Sequence, residues 1–91
     1  MPAVKFTTHL EKFFPGVTSG VSVEARTVAE VVAALDQRFP GLAAYLIDEQ
    51  GALRKHVNIF VDDELIHDRQ KLSDSLSDSN RVYIFQALSG G

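Results

Sequence analysis

One amphipathic helix near the middle of the chain limits the possible folds more than any other sequence feature. Thr27-Val28-Ala29-Glu30 has the pattern of a capping box, in which the Thr27 hydroxyl accepts from the Glu30 amide and Glu30 reaches back. The residues after Thr27 repeat at helical spacing and form one apolar stripe: Val28, Val31, Val32, Leu35 and Phe39. Pro40-Gly41 then ends the helix. Because one helix cannot bury such a stripe by itself, we expect it to pack on one face of a sheet.

Alternating apolar residues on both sides of this helix predict the strands of that sheet. The predicted strands are residues 3–7, 21–25, 56–62, 64–67 and 81–88. The first and last strands are strongly apolar, so we expect them to pair in the centre. Residues 42–53 are predicted to be irregular, with a turn at residues 48–51. This order predicts an α+β domain of the β-grasp (ubiquitin-like) type over residues 1–88, with a mixed sheet of four to five strands and one main helix.

Composition excludes several classes of protein. The chain has 91 residues, which is one domain, and its charge of −3 with scattered Lys and Arg argues against a nucleic-acid partner. The absence of cysteine removes disulfides, zinc–thiolate sites and cysteine nucleophiles, and favours a reducing compartment. The N-terminus lacks a charged leader with a long apolar run, and no apolar stretch approaches the ~20 residues that cross a bilayer. We therefore expect a cytoplasmic protein, monomeric alone, with no membrane partner.

No pattern for catalysis or metal binding is present in the sequence. His9, His56 and His67 lack the spacing of a metal site. Asp62 and Asp63 fall in a predicted turn, where these residue types are common for conformational reasons. The glycines form no phosphate-binding loop. The sequence therefore predicts no catalytic residue, no metal site and no bound cofactor.

Two segments carry a resemblance to a known family. Val57-Asn58-Ile59-Phe60-Val61-Asp62-Asp63-Glu64 is similar to the "VN…VN(D/G)" strand and turn of ubiquitin-like sulfur carriers of the MoaD/ThiS type. Gly90-Gly91 follows an apolar strand directly, as it does in that family. The segment at residues 54–61 most resembles two groups of this family, which are the branch that delivers sulfur for cysteine biosynthesis and the unassigned MoaD-like proteins. Residues 77–82 depart from the acidic-glycine turn that many members have there.

The resemblance implies a defined chemistry at the C-terminus. In this family an E1-like enzyme uses ATP to adenylate the terminal glycine, and sulfur then replaces AMP to give a thiocarboxylate. A partner such as the molybdopterin synthase large subunit or a cysteine synthase consumes it. Gly90 and Gly91 would be the reactive end, because residues without a Cβ can thread a narrow channel. Residues 89–91, a flexible Ser-Gly-Gly tail, would extend from the domain. ATP would be bound in trans, so the chain would be a co-substrate and not an enzyme.

The alternation of side chains in the predicted last strand indicates a contact surface for such partners. If Val82 and Ile84 face the helix, then Tyr83 and Phe85 point to the other face of the sheet, as Phe60 does. Exposed aromatic side chains together usually mark a contact surface. The predicted partner-binding residues are Phe60, Tyr83, Phe85, Leu88 and Ser89.

Alternatives remain open for both the surface and the function. The loops at residues 8–20 and 42–55, which carry Phe13, Phe14 and Tyr45, would cover the aromatic residues if they fold over that face. The chain would be a protein modifier if Gly91 is joined to lysines of target proteins. It would be a non-reactive interaction subunit if the tail takes no part in chemistry.

Overall fold

A computed structural model describes residues 1–6, 14, 16 and 20–86. It contains five strands and two helices in these parts of the chain: β1 (Ala3–Phe6), β2 (Val21–Ser22), α1 (Val28–Arg38), α2 (Leu42–Leu46), β3 (Val57–Val61), β4 (Glu64–Leu65) and β5 (Arg81–Gln86). The order along the chain is the predicted one, with α2 added.

The strands form one mixed sheet in the order β2-β1-β5-β3-β4. β1 and β5 are parallel neighbours in its centre, as predicted, and the other three pairings are antiparallel. β2 is shorter than the predicted residues 21–25. The ladder between β1 and β2 ends early because β1 begins only at Ala3. Beyond it, the Val23 amide makes one further hydrogen bond, to the Pro2 carbonyl at 3.2 Å. Val23 and Ala25 remain buried although they leave the strand.

Helix α1 follows the sequence prediction closely. The Glu30 amide donates to the Thr27 hydroxyl at 3.2 Å, which satisfies one of the free amides of the first turn. The Glu30 carboxylate accepts from the Arg26 amide at 2.9 Å, one residue before the donor that a capping box uses. The side chains of the predicted stripe are buried in the core, except for Phe39, which is partly buried.

Helix α2 corrects the prediction that residues 42–53 are irregular. The Asp36 carboxylate, from the last turns of α1, accepts from the amides of Gly41 and Ala43, each at 3.1 Å, and so caps α2 from outside. Leu42 and Leu46, four residues apart, are both fully buried. Five residues are too few to show a helical period, which is why the sequence pattern missed this turn and a half. The predicted turn at residues 48–51 is present, with the Gly51 amide bonded to the Asp48 carbonyl at 3.0 Å.

The core lies between the two helices and one face of the sheet. Alternate residues of β3 and β5 enter it, and Val57, Ile59, Val82 and Ile84 are almost completely buried. Asn58, Phe60, Tyr83 and Phe85 alternate with these residues and therefore point to the opposite face, which no described helix covers. We call it the open face of the sheet.

Candidate functional site

Aromatic side chains from the two neighbouring strands β3 and β5 meet on the open face. Phe60 lies directly opposite Tyr83 in the ladder. The Phe60 and Phe85 rings are edge to face, with centroids 5.6 Å apart, and Tyr83 and Phe85 are stacked at 6.4 Å. Aromatic pairs in these geometries contribute about 0.5–1.5 kcal/mol beyond the area that they bury. The structure therefore brings together three of the five residues predicted to bind a partner.

Leu65 joins this group, although it was not among the predicted partner-binding residues. Leu65 lies opposite Phe60 in the β3–β4 ladder, so both side chains point to the open face. Leu65 is 49% exposed and Phe85 is 44% exposed. The adjacent apolar pair Leu65-Ile66, at the end of β4, contained the signal. Neighbouring side chains of an extended segment point to opposite faces, so only one of them can face the core, and Ile66 is the buried one. We call Phe60, Leu65, Tyr83 and Phe85 the open-face patch.

The described parts of the long loops do not cover this patch. Phe14 is buried at 8% exposure and packs edge to face on Tyr45, with ring centroids 5.3 Å apart. Tyr45 belongs to α2, on the helical side of the sheet. These two residues, which could have shielded the open face, therefore lie on the other side of the molecule. Phe13, the third residue of that alternative, lies outside the described residues.

An open depression runs along the patch and has a polar group at each end. It is lined by Asn58, Phe60, Asp62, Asp63, Tyr83 and Phe85. Asn58 lies opposite Phe85, near the end of β5. Asp62 and Asp63 form the turn after β3, at the other end. The depression is therefore apolar along its length, amide-bearing at one end and acidic at the other.

The acidic end is held in place by hydrogen bonds to the start of β5. The Asp62 carboxylate accepts from the Arg81 amide at 2.9 Å and from the Asn80 side-chain amide at 2.8 Å. Asp62 also has a positive φ of 56°, a conformation that Asp tolerates better than most residues. Both of its oxygens have partners, whereas Asp63 is exposed on the adjacent position. Asp63 is thus the carboxylate at this end that is placed to meet another molecule.

β5 is the last described strand before Gly91, and it lies between β1 and β3 in the sheet. Gln86, the last residue of β5, pairs with Val57, the first residue of β3. The predicted site residues Leu88, Ser89, Gly90 and Gly91 lie outside the described residues. β5 therefore contributes Tyr83 and Phe85 to the open-face patch and is also the described element nearest to Gly91 along the chain.

The loop between β4 and β5 contains the one carboxyl group whose pKa departs clearly from its usual range within the described part of the chain. The Asp68 carboxylate accepts from the Ser73 hydroxyl at 2.5 Å and from the amides of Gln70 and Lys71 at 3.0 and 2.9 Å. These bonds, led by that from Ser73, lower the pKa of Asp68 to about 2. All of its partners belong to the same loop, so Asp68 stabilises that loop.

The described part of the chain contains neither a group of metal-ligating side chains nor a membrane-spanning helix. Within residues 1–6, 14, 16 and 20–86, no three His, Asp or Glu side chains are grouped as a metal site requires. His67 lies 3.6 Å from Glu64 on the surface. Neither described helix is long and apolar enough to cross a membrane.

Comparison with known proteins shows the family. A family model described as the ThiS family matches residues 4–91. The sulfur carrier protein CysO of Mycobacterium tuberculosis is 31% identical over 78 residues, which are 84% of each chain. The crystal structure of the Amycolatopsis orientalis BexX/CysO complex contains a similar chain, with a TM-score of 0.85, 26% identity and full coverage of both chains.

A further solved structure supports the fold alone. SAMP1 from Haloferax volcanii has a TM-score of 0.75 with 23% identity, over 98% of this chain and 97% of that one. This structure and the BexX/CysO structure share the overall fold described above. The predicted β-grasp fold and the predicted resemblance are both confirmed, and α2 is an addition to the single predicted helix.

Proposed function

The chain belongs to the ThiS family, and on this basis we propose that it is a sulfur carrier. Gly91 is the residue whose carboxylate an E1-like enzyme adenylates with ATP. The product is converted to a thiocarboxylate, which donates its sulfur in a biosynthetic reaction. The chain itself is a co-substrate of its partner enzymes, and ATP is bound in trans.

The chemistry requires activation because a carboxylate is a poor electrophile. A carboxylate oxygen of Gly91 attacks the α-phosphorus of ATP, and pyrophosphate leaves. A hydrosulfide then attacks the acyl carbon of the mixed anhydride, AMP leaves, and a thiocarboxylate remains. Glycine at positions 90 and 91 suits this reaction, because the absence of a Cβ lets the backbone enter a narrow channel.

The observation that carries this proposal is the continuity of the family match from the domain to Gly91. β5 supplies Tyr83 and Phe85 to the open-face patch only a few residues before that end. From Gln86 the five remaining residues reach at most about 17 Å when extended. An enzyme that binds the open-face patch can therefore receive Gly91 in an active site up to about 17 Å from the position of Gln86.

We assign the open-face patch to the contact with the adenylating enzyme, together with Leu88 and Ser89 of the segment that follows β5. Large apolar side chains at the centre of an interface commonly carry most of its binding energy. Exposure of Phe85 and Leu65 in the free chain supports this role. The same surface becomes available to a second enzyme after the first has dissociated.

For the sulfur acceptor we favour an enzyme of the cysteine synthase type over a molybdopterin synthase large subunit. The similarity to the sulfur carrier CysO extends over most of both chains. The resemblance at residues 54–61 favours the same branch.

Pyrophosphate exchange tests the activation step. The purified chain is incubated with its cognate E1-like enzyme, ATP and labelled pyrophosphate. We expect label to enter ATP only when the chain is present, and a chain that lacks Gly91 to give the background rate. Exchange that is independent of the chain, or that survives loss of Gly91, would contradict the proposal. Gly91-dependent adducts on lysines of other proteins, without a thiocarboxylate, would indicate a protein modifier instead.

A further inference from the structure

Asn58 is the polar residue at one end of the depression on the open face. Its side chain is exposed and lies opposite Phe85 in the β3–β5 ladder. Phe60, two residues later on the same face of β3, is part of the open-face patch. A polar amide in this position borders the apolar surface without being buried by it.

Arg69 fixes the orientation of this amide. Its guanidinium donates to the carbonyls of Arg54 and Val57, at 2.8 and 2.9 Å, and to the side-chain oxygen of Asn58 at 3.1 Å. A guanidinium has five donors and no acceptor, so the amide has to turn its oxygen towards Arg69. The Asn58 Nδ2 group, with two donors, is therefore directed away from Arg69, and it has no hydrogen-bond partner among the described residues.

The opposite end of the depression has the complementary polarity. Both carboxylates at that end are exposed, but the oxygens of Asp62 already accept hydrogen bonds from Asn80 and Arg81. Asp63 is therefore the carboxylate there that has no hydrogen-bond partner among the described residues. A molecule that lies along the depression thus meets hydrogen-bond donors at the Asn58 end and a negative charge at the Asp63 end. The apolar patch lies between them.

From this polarity we propose that Asn58 is a recognition residue for the E1-like adenylating enzyme. Its Nδ2 group donates to an acceptor oxygen of the partner, whose adjacent apolar side chain fills the depression and whose basic side chain faces Asp63. Arg69 is a positioning residue that acts through Asn58. This inference rests on the proposed function, in which the partner is the E1-like adenylating enzyme.

The substitution Asn58→Asp removes the hydrogen-bond donor of this side chain and keeps the contact with Arg69 that belongs to the fold. The aspartate keeps an oxygen towards Arg69, where it gains a charge-assisted bond, but it has no donor. We expect the affinity for the E1-like enzyme to fall about tenfold, because the acceptor oxygen of the partner loses its donor. The thermal unfolding midpoint should stay the same or rise. Asn58→Leu, which is neutral and similar in size, should also lower the affinity and shows that the added charge is not the cause.

Arg69→Lys tests the positioning role. Lysine cannot hold two carbonyls and the amide together with a planar fork, so we expect a smaller loss of affinity. In the double variant with Asn58→Asp, Arg69→Lys should add little further loss, because the donor that it positions is already absent. Additive losses would contradict the positioning role.

The outcomes distinguish the inference from the proposed function. If the wild-type chain binds the E1-like enzyme and both Asn58 variants bind equally well, the inference is wrong and the proposed function stands. If the wild-type chain neither binds nor is adenylated, the proposed function fails. If the chain forms a dimer that Phe85→Asp dissociates, the open face belongs to a second copy, and the assignment to the enzyme is overturned.

Discussion

Phe60 and Phe85 lie edge to face on the side of the sheet that faces away from both helices, with ring centroids 5.6 Å apart and planes at 89°. They are diagonal neighbours in the β3–β5 ladder, where Phe60 pairs with Tyr83 and Phe85 pairs with Asn58. The same β5 strand contributes Val82 and Ile84 to the core. Strand alternation thus gives one strand two roles, because Tyr83 and Phe85 form a surface while Val82 and Ile84 stabilise the fold.

Phe85→Asp should weaken binding of the E1-like enzyme and leave the fold intact. The ring is exposed in the free chain, so its loss removes little core packing. We expect a loss of about 2 kcal/mol, or roughly 30-fold in affinity, measured by calorimetric titration. Tyr45→Asp is the matched control, since Tyr45 is an exposed aromatic residue on the helical side. Unfolding of the Phe85 variant, or equal losses in the two variants, would count against the assignment of the open-face patch.

Asp36→Ala should destabilise the domain through α2. The Asp36 carboxylate accepts from the Gly41 and Ala43 amides, and alanine leaves both without that acceptor. We expect the free energy of unfolding in urea to fall by about 1 kcal/mol, the usual effect of losing a helix cap. Asp36→Asn keeps an oxygen acceptor and should lose less. A variant as stable as the wild type would show that this cap does not stabilise α2.

Asp68 should make the stability of the domain depend on pH in the acid range. The pKa of its carboxyl is lowered to about 2, whereas in the unfolded chain it is about 3.9. Its contribution is therefore complete above about pH 4 and is lost as the pH falls towards 2.

The measurement is the free energy of unfolding in urea between pH 4 and 2, for the wild type and Asp68→Asn. The variant should be less stable above pH 4, and the difference should shrink as the pH falls. Asp63→Asn, which removes an exposed carboxylate from a turn, controls for the change in net charge. A difference that is constant across this range would contradict the account.

The sequence pattern predicted the fold correctly where the spacing of apolar residues within one helix or strand matches the residues that are buried. The stripe that begins at Val28, and the alternation that separates Val82 from Tyr83, each follow from geometry that one element sets by itself. The central β1–β5 pairing followed from the apolar character of both strands. The partner-binding prediction for Phe60, Tyr83 and Phe85 identified residues that do lie together.

The remaining features depend on contacts between distant parts of the chain. α2 is capped by a side chain from the preceding helix, which no pattern within residues 42–46 reveals. Leu65 joins the patch through its register with Phe60, and Asn58 is oriented by Arg69, eleven residues later. Register and side-chain hydrogen bonds of this kind are set by tertiary structure. The sequence lists these residues but does not show which of them contact one another.

The measurement that tests the sulfur-carrier proposal most directly is the intact mass of the chain after incubation with its cognate E1-like enzyme, ATP and sulfide. We expect a gain of about 16 Da, as one oxygen of the Gly91 carboxylate is replaced by sulfur. A chain without Gly91 should keep its mass. An unchanged mass for the full chain, with an enzyme shown to be active, would contradict the proposal that it carries sulfur.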